Sequence, residues 1–308
     1  MKKLSLIIFL LLPGFVFSEG MSLDFGVFNF FMDTKIMEDG SVFSIGLGLN
    51  YKNNWGGEIR GQFEKSAKNE EANDSFVSDS LVAVKESIYE VFLLPVQYRS
   101  TASQNFQWRT GAGLYYEYQE SKQKGFFDMP ELEDSGLHRV NSFTDDFSMH
   151  LFGPLAEAGI IYNTEHFNIN LSGGVIPVYF LTAAEKQRMF PLFDAVSHSQ
   201  RTWGSPYFFL GLDSILFKYA GLAVKYNYAK LEYDVIDFND NFTPVFPKRN
   251  VVSRSVMFEV SALIPFKSVG MGLRIGYGHM LNFYTLDSND PVKENKQYFI
   301  FSGKILSP

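Results

Sequence analysis

Ser148 and His150, with Asp145, Asp146 and His138 close by, form the densest local set of groups able to activate a nucleophile or move a proton. A serine and a histidine on one strand face suit a lipid-facing hydrolase, provided a third group orients the imidazole. Histidine with convergent carboxylates suits a protease at the rim of a barrel. A spacing of two is common and one segment supplies every member, so solvated loop charge is the plainer reading. No G-x-S-x-G or HExxH pattern supports either chemistry. Asp237-Phe238-Asn239-Asp240-Asn241 and Asp287-Ser288-Asn289-Asp290 offer oxygen ligands. They lack the glycine hinge and terminal glutamate of a calcium loop and read as turns. His166 and His279 stand alone. With no cysteine, neither thiolate catalysis nor a Cys-type zinc site is available. No cofactor or metal is expected, and the chain reads as a non-enzyme.

The remaining chemistry-bearing residues are charges set at alternate positions, so the elements that carry them decide their meaning. Phe106–Gln119 shows the pattern most clearly. Its even positions are Phe106, Trp108, Thr110, Ala112, Leu114, Tyr116 and Tyr118, and its odd positions are Gln107, Arg109, Gly111, Gly113, Tyr115, Glu117 and Gln119. A strand places these sets on opposite faces, one oily with aromatic ends and one polar with glycines. The stretch is long for an ordinary strand and matches a tilted membrane-crossing one.

The N-terminus MKKLSLIIFLLLPGFVFS has the basic start, apolar run and small residues of a secretory signal peptide, giving 1–18 as signal and 19–308 as one domain. Removing it takes two lysines and no acids, so 25 basic residues remain against 34 acidic, a balance of −9. That argues against a nucleic-acid partner, which would need a basic face. No later stretch is long and apolar enough for a helical span. Aromatics at 17% fit interface belts.

Alternation and turn signals give twelve strand candidates between Leu23 and Leu306. Short links, such as Lys52–Trp55 and Asn163–His166, alternate with longer polar ones, the longest being Ala67–Glu86, Ser121–Phe147 and Ala184–Gly204. This is the rhythm of an up-and-down transmembrane barrel with tight periplasmic turns, external loops and both termini periplasmic. Phase changes near Phe28 and Pro95 point to bulges. A soluble sandwich or a lipocalin-like barrel would share the period with its faces reversed. Strand length and two aromatic girdles favour the membrane. Tyr51, Trp55, Tyr98, Trp108, Tyr162 and Phe266 lie near the short turns, and Tyr116, Tyr118, Tyr179, Tyr207, Tyr226, Tyr228 and Tyr277 near the long links. On that orientation the lumen receives Asp24, Glu58, Arg60, Glu64, Arg109, Glu117, Glu157, Asp213, Lys225, Glu259, Arg274 and Lys304. Arg60 is expected to pair with Glu58 and Glu64, and Arg109 with Glu117 or Glu157. Such pairs either brace a filled barrel or ring a narrow water path.

Together, the signal peptide, the alternating links, the paired girdles and a final alternating strand resemble bacterial outer-membrane β-barrel proteins. That resemblance implies an outer-membrane location, with membrane lipid and the insertion machinery as partners. It also implies passage of small solutes, or a surface role for the loops Ala67–Glu86 and Ser121–Phe147. Many such barrels end on an aromatic, whereas this chain ends Lys304-Ile305-Leu306-Ser307-Pro308.

Overall fold

The computed structural model describes residues 26–50, 54–74, 77–100, 103, 105–128, 140–190, 193–204, 206–238, 243–266, 271–286 and 292–305. The first half of the chain forms β1 (Gly26–Met37), β2 (Gly40–Asn50), β3 (Trp55–Asp74), β4 (Val77–Arg99), β5 (Phe106–Asp128) and β6 (Val140–Asn163). β7 (Phe167–Ile176), β8 (Tyr179–Phe190), β9 (Phe193–Gly204), β10 (Tyr207–Leu216) and β11 (Ala220–Asp234) follow. The small hairpin β12 (Asp237–Phe238) and β13 (Pro244–Val245) precedes β14 (Lys248–Phe266), β15 (Met271–Leu286) and β16 (Val292–Ile305).

Every ladder is antiparallel, and β16 pairs with both β15 and β1, so the sheet closes on itself. The last strand is therefore the closing strand of the ring, despite its non-aromatic end. The ring has twelve positions because two of them are each shared by two strands in succession. β7 lies against one half of β6 and β8 against the other, with Pro177 and Val178 between them. β10 and β9 divide the next position likewise, flanking Pro206. Proline donates no ladder hydrogen bond, and each interruption slips the side-chain phase. The register also shifts between Val27 and Asn29 and between Leu93 and Val96, around the anticipated Phe28 and Pro95. The architecture is all-β, a closed up-and-down barrel of twelve strands.

The segments Ala67–Glu86, Ser121–Phe147 and Ala184–Gly204, expected as loops, are largely strand. β3 runs to Asp74 and β4 starts at Val77, while β5 runs to Asp128 and β6 starts at Val140. β8 and β9 pair through most of the third segment. Their outward faces are polar, as in Lys122, Lys124, Lys186 and Arg188, so no oily stripe betrayed them. One side of the barrel thus rises as an extension beyond its apolar belt.

That belt is bounded by registered aromatic rows on the outward face. At the short-turn end, Trp55 meets Tyr98 at 5.1 Å between ring centres and Tyr98 meets Trp108 at 5.4 Å, with Tyr162 exposed on the neighbouring strand. At the other end Tyr116, Phe152, Phe180 and Trp203 stand opposite one another across β5, β6, β8 and β9. The next row up is Tyr118, His150, Thr182 and Arg201. Tyr226, Tyr228 and Tyr277 also face outward on the far wall. Between the rows lie exposed Leu114, Ile160, Leu171, Leu210 and Val224. An apolar band edged by aromatics is the surface a bilayer-spanning barrel presents. Tyr51 lies outside the described residues, as do residues 1–25 with the signal segment and Asp24. Nothing is described of the Phe266 and Lys304 side chains.

Tyr179 and Tyr207 depart from the outer girdle. Both point inward, Tyr179 fully buried, because the interruptions beside them reverse the phase. Gly204 makes room: a Cβ there would lie 1.8 Å from the Tyr179 ring. Gly278 does the same for Tyr298, with a Cβ at 2.2 Å. Other lumen glycines admit a neighbouring backbone instead: a Cβ at Gly113 would lie 1.8 Å from the Leu93 carbonyl oxygen and one at Gly276 2.5 Å from that of Val260.

Candidate functional site: a braced lumen

Alternation on a closed ring sends one set of side chains to a shared interior, and two ion networks form there. The first gathers on β3 to β6. Glu157, on β6, accepts from Arg60 Nη2 and, at 3.3 Å, from Arg109 Nη2. Arg60 Nε lies 3.6 Å from Glu58 and Arg109 4.0 Å from it, while Gln97 Nε2 donates to Glu58 at 3.0 Å. Arg60 also stacks over Phe92 at 4.9 Å. The second network centres on Glu259 of β14. Lys35 of β1 reaches it at 2.6 Å, Lys225 of β11 at 3.8 Å and Arg274 of β15 at 3.6 Å, and the Tyr298 hydroxyl donates at 3.1 Å. Arg274 lies 3.6 Å from Asp213 as well. Each hub carboxylate is almost wholly buried and offsets that burial with several charged donors, the condition under which a buried charge is tolerated.

The anticipated partners are met in part. Arg60 takes Glu58 but not Glu64, which points into the lumen nearer the long links, and Arg109 takes Glu157 but not Glu117. Glu117 instead accepts from the Tyr115 hydroxyl at 2.6 Å, which also lies 2.8 Å from Glu90, itself bonded by Gln62 at 2.8 Å. Sequence reading missed Lys35, Glu90 and Gln97, and it set Tyr115 and Tyr298 on the polar side of their strands without giving either a partner. An inward lysine on β1 follows from alternation alone, but its pairing with Glu259 depends on ring closure.

Above the ion networks the interior is largely apolar, apart from Glu90 and Glu117, which meet at the Tyr115 hydroxyl. Leu94, Tyr115, Leu151, Leu155, Ile176, Tyr179 and Leu181 are buried there. Phe92 of β4 meets Phe209 of β10 at 5.7 Å, and Tyr115 of β5 stacks on Tyr207 of β10 at 5.7 Å. These are contacts between strands that are not neighbours in the ring. Below this aromatic layer water still enters: the Asp213 and Lys225 side chains keep 44% and 39% of their exposure.

Inside the extension, the polar side chains of β8 and β9 hold the start of the β11–β14 connection. Glu185 accepts from the Ile236 amide at 2.8 Å, Gln187 donates to Glu185 at 2.8 Å, and Gln200 donates to the Asp234 carbonyl at 3.0 Å. The Tyr179 hydroxyl donates to the Lys230 carbonyl. His198 lies 3.4 Å from the Asp234 carboxylate and stacks on Phe246. These side-chain bonds stand where β9 and β11 share no backbone ladder among the described residues. Asp145 lies beside Gln187, its carboxyl pushed up to about 7 by burial, then by the charges of Glu185 and Asp146.

Among the described residues the hydrolase sets do not assemble. Ser148, His150 and Asp146 face outward while Asp145 faces inward, so the rim-protease group is split across the wall. His138 lies outside the described residues. His150 Nδ1 meets the Tyr116 hydroxyl at 2.9 Å, and no described carboxylate orients the ring. His166 packs with Phe167 and Phe217 at a turn, and His279 lies 3.0 Å from Asn295. Most of Asp237–Asn241 and Asp287–Asp290 lies outside the described residues.

No family model matches the chain, and no curated protein matches it. Among solved structures it is similar to the translocator domain of autotransporter NalP from Neisseria meningitidis, at 12% identity over 89% of this chain and 86% of that one, with a TM-score of 0.42. It is also similar to the Pseudomonas putida toluene transporter TodX, at 8% identity over 92% and 90% of the two chains, with a TM-score of 0.44. For the outer membrane protease OmpT from Escherichia coli the values are 10% identity, 92% and 98% coverage, and a TM-score of 0.31.

Proposed function

We propose that the protein is an outer-membrane barrel, its long links on the extracellular side, that passes small solutes through a narrow charge-lined lumen gated by its aromatic layer. One observation carries this reading. Wetted charges of both signs lie below a layer where Phe92, Phe209, Tyr115 and Tyr207 touch across the interior. Mixed charge favours small polar solutes, and apolar side chains in contact make a dewetted constriction. In planar bilayers the refolded wild type should conduct rarely or in small steps, whereas Phe92→Ala with Phe209→Ala should raise the conductance clearly. An aromatic-trimmed barrel that inserts cleanly and stays silent would sink the transport reading. The strand extension supports a second one, a surface-exposed barrel acting through its extracellular part, and silent barrels would favour it.

A further inference from the structure

The outward wall of β5, β6, β8 and β9 changes character within two residues. The aromatic row Tyr116–Phe152–Phe180–Trp203 is followed by Tyr118–His150–Thr182–Arg201 and then by Glu120–Ser148–Ala184–Ser199. Beyond these, Lys122, Lys124, Lys186 and Arg188 are exposed on the same face. Among the described residues five cations, counting Arg201, thus share this wall with two acids, Glu120 and Asp146, on a chain whose formal charge is −7. Lys122 is paired with Glu120 at 2.6 Å. Among the described residues no carboxylate pairs with Arg201. Arg201 borders an open surface hollow of about 570 Å³ together with His150, Ser148, Thr182 and Ser199. The Tyr116 hydroxyl fixes the His150 ring through Nδ1.

We infer that this wall binds the anionic phosphate-bearing headgroup of a membrane lipid, its acyl chains against the aromatic row and its phosphate at Arg201. The inference rests on the aromatic rows marking the membrane boundary. A phosphate needs a cation and several hydrogen-bond donors, and this hollow presents a guanidinium, an imidazole and three hydroxyls. The height is right because a headgroup sits just outside the aromatic belt. Basic side chains at that height are attracted to an anionic leaflet.

The test uses the full chain in phosphatidylcholine nanodiscs containing a minor fraction of spin-labelled phosphatidylglycerol or spin-labelled phosphatidylcholine, reading the motionally restricted fraction of each. Phosphatidylglycerol should be preferred by about fivefold, the worth of one basic side chain at an anionic surface. Arg201→Gln with His150→Gln should bring the two lipids to parity, while Arg201→Lys keeps the preference. Arg254→Gln should also keep it: Arg254 is an outward cation stacked on Tyr228, 5.9 Å away, on the far wall. No preference in the wild type, a preference surviving the double variant, or one lost in Arg254→Gln would overturn the site. Displacement by millimolar inorganic phosphate would overturn the lipid assignment. Quenching of tryptophan by brominated acyl chains reports insertion separately. Quenching without preference overturns the headgroup site alone, and loss of quenching overturns the membrane boundary beneath it.

Discussion

Glu157 holds two guanidinium groups from β3 and β5 while almost sealed from water. Removing it leaves Arg60 and Arg109 facing one remaining acid, Glu58, in a confined space. Breaking a buried pair by deleting one partner costs about 3–5 kcal/mol. Glu157→Ala should therefore lower the urea midpoint of barrel unfolding markedly, read as the gel shift between folded and unfolded forms. The exposed Lys248–Glu232 pair at 2.7 Å offers a contrast, and Lys248→Ala should leave the midpoint unchanged. Equal effects of the two substitutions would refute the bracing role of Glu157. Asp145 makes the opposite kind of residue-scale prediction, one of pH. Its folded carboxyl titrates near 7, above the ordinary carboxylate range, so it binds protons more tightly folded than unfolded. Its contribution to stability is fully present at low pH and is lost as pH rises through about 7. Amides around Ile236, bonded to the neighbouring Glu185, should exchange faster at pH 8 than at pH 5 after correction for intrinsic rates, and Asp145→Asn should flatten that difference. A flat wild-type profile would remove Asp145 from the account.

At the scale of elements, the β10–β11 turn is built against its sequence. Phe217 and Lys218 have φ of 52° and 67°, and the Tyr219 amide closes the turn on Leu216 at 3.1 Å. Two positive φ values suit a two-residue hairpin, yet neither residue is the usual asparagine or glycine. A side chain in this region costs about 1–2 kcal/mol per residue, and asparagine bears it best. Lys218→Asn should raise the unfolding midpoint, while Phe217 is retained for its packing on Phe167 at 5.5 Å. No gain would mean that the turn is held by its ladder and not by its own geometry. The strands were legible where one face meets lipid, as in Phe106–Gln119, because oil and charge then alternate in plain sight. They were not legible above the belt, where Lys122 and Lys124 face water and Gln123 faces the interior, so both faces read as loop. Tyr179 and Tyr207 were misplaced for a related reason: Pro177 and Pro206 stand beside them in the sequence, but the direction of the phase slip each causes does not show there. The lumen charges were readable from parity. Partners close along the wall were readable too, as Arg60 with Glu58 and Arg109 with Glu157, whereas Arg60 finding Glu157 and Lys35 finding Glu259 depend on the curvature of a closed ring.

At the scale of the whole molecule, the two aromatic rows set the thickness of bilayer the barrel expects. On β5, Trp108 and Tyr116 stand eight residues apart on the outward face. At about 3.3 Å per residue that is roughly 26 Å of strand, or about 20 Å along the membrane normal at a tilt of about 40°. This is nearer the thin outer-membrane belt of about 25 Å than the 30 Å core of a typical bilayer. The extension above the upper row is dressed with Lys186, Arg188 and Arg201, so sinking deeper to match a thick bilayer would bury charge. The lower row ends at tight turns, so the barrel cannot lengthen there. Refolding yield into phosphatidylcholine vesicles should therefore be highest for short-chain lipids and fall steadily as the acyl chains lengthen. Adding an apolar residue pair between the rows of every strand would be the reciprocal change, shifting the optimum toward thicker membranes. If yield rises with chain length, the row at Tyr116, Phe152, Phe180 and Trp203 does not lie at the bilayer edge, and the membrane boundary would have to move up into the extension.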